Sequence, residues 1–225
     1  MSESNEIPEI VPATKGERLA EFIAIVTSAA PWIGGPVAEI IGGVATNLKI
    51  KRVTQFVKEV LDRVENLHTK ASEDFVKTED FADIFEKTAQ AVADERDETK
   101  RRLFSNYILS NIAAPSISYN HRLKCLRLLI EVDTRHIDLI KALLQSPTAE
   151  ESDKMMSTPS TTLEERAPHL RGDLSALIHE TNTLGLTNIR TDYMNTMMTG
   201  GGAANLAGNV TQLGKDLMAF ILGKE

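Results

Sequence analysis

The 225-residue sequence holds one cysteine, one tryptophan and few aromatics of any kind, and each shortage removes a class of architecture. With Cys125 alone, no disulfide can close within the chain, so a disulfide-stapled scaffold is excluded. Cys125 stands among Leu123, Leu126 and Leu129, a setting that predicts burial as a small hydrophobe rather than a reactive thiol. Aromatics make up 5% of the chain, so packing falls to Leu, Ile, Val and Ala, which favours helices over a β-sandwich. Residues 1–14 carry Glu3, Glu6 and Glu9 but no basic residue, so a secretory signal is missing and a cytoplasmic address is expected.

The apparatus of catalysis is equally sparse. The five histidines (His68, His121, His136, His169 and His179) have no second histidine three or four residues away, the clustering of a typical zinc helix, so no metal is expected. His179-Glu180 opens like a metalloprotease helix, but Thr183 stands where the second histidine would be. No phosphate-binding loop, dinucleotide fingerprint or serine elbow appears, and Gly200-Gly201-Gly202 lacks the Lys-Ser/Thr that would make it one. The acids Asp94, Glu95, Asp97 and Glu98 read as a solvated helix junction, since acids favour helix starts. The sequence therefore predicts no enzyme and no cofactor. The net charge of −7 disfavours nucleic acid as a partner unless basic residues gather on one face.

What is present is helical periodicity. Residues 1–16 read as a flexible acidic tail. Residues 17–69 predict a short helix, a turn at Gly34-Gly35-Pro36, and a long helix from about Pro36 to His68. In the latter, Ile50, Val53, Val57, Val60, Val64 and Leu67 recur in alternating steps of three and four, the stripe of a coiled coil and hence a candidate dimer seam. Residues 72–146 predict a bundle of four helices, beginning near Thr78, Asp97, Tyr119 and Asp133. Residues 147–168 are rich in Ser, Thr, Pro and Glu and read as a linker. In 169–225, a helix stopped by Gly185, weak alternation at Ile189, Thr191 and Tyr193, a glycine-rich tip and a last helix capped by Thr211 suggest a degenerate winged-helix unit. The expected fold is all-α, a helical bundle with that small C-terminal unit.

Two features carry functional expectation. The apolar stretch 22–44 holds Trp32, Gly34, Gly35, Gly42 and Gly43 and is followed by Lys49, Lys51 and Arg52. At 23 residues it exceeds the roughly 20 that cross a bilayer, and the basic cluster suits anionic headgroups. The alternative is a buried helical hairpin whose glycines allow close packing. The C-terminal unit could read DNA, but residues 168–225 carry Arg171, Arg190, Lys215 and Lys224 against Asp173, Glu180, Asp192, Asp216 and Glu225, a net −1 without the basic footprint.

The stretches AVADERDETKRRLFSNYILSNI, HRLKCLRLLIEVDTRHIDLIKAL, TLGL and VTQLGKDLMAFI, with the apolar WIGGPVAEIIGG before them, resemble the bacterial abortive-infection alpha proteins. The resemblance covers residues 30–145 and 170–222; the segment 146–168 and the tract TGGGAANLAGN have no counterpart in it. It implies a role in bacterial defence against phage and supplies no catalytic residue. The expected protein is thus a non-enzymatic helical interaction factor, meeting a protein partner or a second copy of itself, or an inner-membrane surface. A membrane-inserting effector and a DNA-binding regulator are the alternatives.

Overall fold

The computed structural model describes residues 47–64 and 74–222. They form α1 (Asn47–Val64), α2 (Glu79–Asp94), α3 (Glu98–Ala113), α4 (Tyr119–Glu131), α5 (Thr134–Leu144), α6 (Ala149–Asp153), α7 (Pro159–Arg166), α8 (Leu174–Thr183), α9 (Thr191–Met194), α10 (Gly200–Ala204) and α11 (Gln212–Leu222). Two single turns of 3₁₀ helix, Pro168–Leu170 and Ala207–Asn209, join them.

Local chemistry explains most of the starts. The Thr78 hydroxyl accepts from the Phe81 N–H at 3.2 Å, and Glu79 and Asp80 occupy the first turn of α2, where the helix dipole favours acids. Asp97 accepts from the Thr99 N–H at 2.8 Å to open α3. Asp133 caps α5 by accepting from the Arg135 and His136 N–H groups, while His136 Nδ1 accepts from the Asp133 N–H at 3.1 Å. That leaves His136 Nε2 to donate to the Glu180 carboxylate at 2.7 Å, tying α5 to α8. Gly185 stops α8 with φ of 70°, the left-handed conformation for which glycine is suited.

The described part of the valine stripe, expected as a dimer seam, lies in the core of its own chain. Ile50, Val53, Val57, Val60 and Val64 are all buried, packed with α2 and α3 of the same chain. Phe56 joins them, its ring centroid 5.8 Å from that of Phe85 on α2. The spacing that suits a coiled coil also suits a helix lying across two neighbours, and here the intrachain surface takes it. Leu67 lies outside the described residues, as do Trp32, Gly34, Gly35, Gly42 and Gly43 and the tail 1–16.

Residues 147–168, expected as a linker, fold as α6 and α7. Thr148 and Glu151 form a reciprocal capping box, and Thr158 caps α7 with Pro159 in its first turn. Arg166, with 3% of its side chain exposed, makes a two-pronged bond to the Glu151 carboxylate, both distances 2.8 Å. It also donates to the carbonyls of Ala142 at 2.9 Å and Ala204 at 3.0 Å, so one guanidinium fastens α5, α6 and α10 together.

The strand anticipated over Ile189, Thr191 and Tyr193 is absent as well: Thr191–Met194 is helical. β-pairing among the described residues is confined to two isolated bridges, Ser157 with Met198 and Thr187 with Val210. Helix α10 occupies part of the expected glycine-rich tip. Gly200 there lies so close to α6 that a Cβ would fall on the backbone carbonyls of Glu151 and Lys154. Finally, α11 returns to the bundle and packs on α3, α4 and α5, burying Leu217, Met218, Phe220 and Ile221. A single apolar core therefore runs from Ile50 to Ile221.

Candidate functional site

Where α11 rejoins the bundle it leaves a groove. The mid-to-late turns of α3 supply Asn106, Leu109, Ser110 and Ala113, the turn after it supplies Ala114 and Ile117, and α11 supplies Asp216, Ala219 and Phe220. His121 on α4 and Arg63 on α1 complete a cavity of about 550 Å³, inside the range of roughly 300–1,000 Å³ typical of small-molecule sites. Its walls are mostly apolar, and three alanines keep them shallow. Phe220 packs against Tyr107, with ring centroids 5.5 Å apart and planes tilted by 49°.

Apart from Ser110 on α3, the polar groups sit at its two ends. At one, Arg63 Nη1 donates to Asn106 Oδ1 at 2.7 Å, and the Asn106 amide donates to the Ile221 carbonyl at 2.8 Å. Arg63 also lies 3.6 Å from Glu59, whose other oxygen accepts from the Ser105 hydroxyl at 3.0 Å. At the other end His121 Nε2 is 3.3 Å from Asp216, which also accepts from the Gln212 amide at 2.7 Å. From Asp216 to Ile221 α11 rises by about 7.5 Å, which separates the two ends along the groove.

His121, Asp216 and Cys125 invite comparison with a nucleophile–base–acid set, and the geometry argues against it. The Cys125 sulfur lies 3.8 Å from His121 Nε2, the same nitrogen that faces Asp216, so the imidazole cannot relay between them. Cys125 is fully buried, and burial pushes its thiol up to about 12, opposite to what an activated thiolate requires.

The basic cluster after the apolar stretch is partly engaged. Lys49 pairs with Asp94, and Arg52 donates to the Ala93 carbonyl at 2.9 Å, so both serve the C-terminal end of α2. Lys51 is exposed. These residues are not brought to the groove. No helix among the described residues is long and apolar enough to cross a membrane.

One buried group escaped sequence reasoning. Arg122 is fully buried and its guanidinium ends α3: it donates to the carbonyls of Ile117 at 2.8 Å, Asn111 at 2.9 Å and Ala114 at 2.6 Å, and lies 4.1 Å from the Phe75 ring centre. It forms the floor under the turn that carries Ala114 and Ile117 into the groove. The signal was its position three and four residues before Cys125 and Leu126, on the apolar face of α4. Comparison of the chain with family models, curated proteins and solved structures finds no match.

Proposed function

We propose that this chain is a non-enzymatic helical interaction protein acting in bacterial defence against phage, and that the groove between α3, α4 and α11 is its contact site. The observation that carries the reading is the groove itself: an open, apolar-walled hollow of about 550 Å³ with polar groups at both ends. The residues around it favour binding over chemistry, since the one thiol nearby is held protonated and the one imidazole is tied to a carboxylate. The role in defence rests on the resemblance to the abortive-infection alpha proteins, which includes the helices that wall the groove.

The membrane-inserting alternative depends on residues 22–44, outside the described residues, and two members of its basic cluster are engaged with α2. The DNA-binding alternative finds no hairpin among the described residues of the C-terminal unit, and residues 168–225 carry a net charge of −1. The test is a plaquing assay on bacterial lawns with and without the protein, across a panel of phages. Reduced plaquing by at least one phage is expected. Equal plaquing by every phage, at confirmed expression, contradicts the role in defence.

A further inference from the structure

We infer that the groove takes an acyl carboxylate, with its chain along α3 and α11 and its head at Arg63; this rests on the reading of the groove as the contact site. Arg63 places Nη1 on Asn106 and near Glu59, and no described residue pairs with its Nε or Nη2. Those two donors lie along one edge of the guanidinium, spaced to receive both oxygens of a carboxylate. The side chain is 47% exposed on the groove rim, so a bound head keeps contact with solvent on one side. Glu59 does not compete for that edge, because it faces Nη1 and accepts from Ser105.

The remaining walls suit a slender apolar chain. Leu109, Ala113, Ile117, Ala219 and Phe220 line the path away from Arg63, and from Asn106 to Ala114 it covers about 12 Å, the reach of a medium-length acyl chain. Asp216 stands at the far end, so the opposite orientation would set a carboxylate against a carboxylate. The open Nε–Nη2 edge of Arg63 thus selects an anionic head, and the Asp216 carboxylate disfavours the reverse direction.

Calorimetric titration of the full-length protein with decanoate, decanol and decylammonium, each below its micelle concentration, tests this. Decanoate is expected to bind about tenfold more tightly than decanol, and decylammonium most weakly, the order a charge-assisted fork predicts. Arg63→Gln should remove the preference for decanoate over decanol, and Arg63→Lys should restore it only in part. Ala219→Trp, which fills the groove from its solvent side, should abolish both. Strongest binding of decylammonium, a decanoate preference that survives Arg63→Gln, or no binding of any of the three overturns the inference. If nothing binds while Ala219→Trp still removes phage protection, the ligand class falls and the groove as contact site stands.

Discussion

Arg122 Nη1 donates to both the backbone carbonyl of Asn111, at 2.9 Å, and its side-chain oxygen, at 2.7 Å, so one buried cation closes the last turn of α3. The last carbonyls of a helix have no partner within it, and here they meet a full positive charge at the negative end of the dipole. Burial lowers the Arg122 pKa, and the carbonyl cage and the Phe75 ring replace the water the guanidinium gave up. Arg122→Met keeps the apolar stem and leaves those carbonyls unmet, so it should cost at least about 1.5–3 kcal/mol, the range for hydrogen bonds to charged groups. A urea midpoint unchanged from the wild type contradicts this.

The α6–α7 segment has an acid-sensitive fastening. The Arg166 fork holds the Glu151 carboxyl well below its usual range, at about 2, with the Thr148 N–H adding to the effect. A carboxylate depressed on folding contributes stability that is complete above its unfolded value near 4.5 and is lost as pH falls toward 2. Denaturation midpoints should therefore decline across that window. Glu151→Gln should be less stable at neutral pH and show a shallower decline; an identical slope removes Glu151 as the cause.

Two neighbouring glycines should respond oppositely to alanine. A Cβ at Gly200 meets the backbone of Glu151 and Lys154, whereas one at Gly201 meets nothing within 4 Å. Gly200→Ala should destabilise by about 1–3 kcal/mol, the range for overpacking. Gly201→Ala should be neutral or slightly stabilising, because alanine restricts the unfolded chain. Equal melting temperatures for the two variants would show that α10 does not pack on α6 as described.

Cys125 should resist alkylation by iodoacetamide at pH 8 in the native protein and react rapidly in denaturant, given its burial and raised pKa. Rapid native labelling would mean that α4 opens readily.

These sites differ in how far the sequence foretold them. The helices beginning at Thr78, Asp97 and Asp133 were legible because a cap residue and a 3.6-residue apolar period agree there, and the one beginning at Tyr119 by its apolar period alone. Arg122 was hidden because a charged residue on a leucine face reads as its solvated edge, and only the tertiary cage makes it an interior group. Thr148 with Glu151, and Thr158 with Pro159, are helix-start signals, but the polar composition around them masked α6 and α7. The groove was not legible at all: its walls come from α1, α3, α4 and α11, and nothing local to one helix announces a gap between four.

The most direct test of the groove as contact site compares phage plaquing on lawns expressing the wild type, Ala219→Trp and Glu131→Trp. Ala219 lines the groove from an exposed position and Glu131 is exposed at the end of α4, so neither change disturbs the core, as circular dichroism and melting temperature should verify. The account predicts that Ala219→Trp restores plaquing to the level without the protein, while Glu131→Trp protects as the wild type does. A folded Ala219→Trp variant that still protects fully would contradict it.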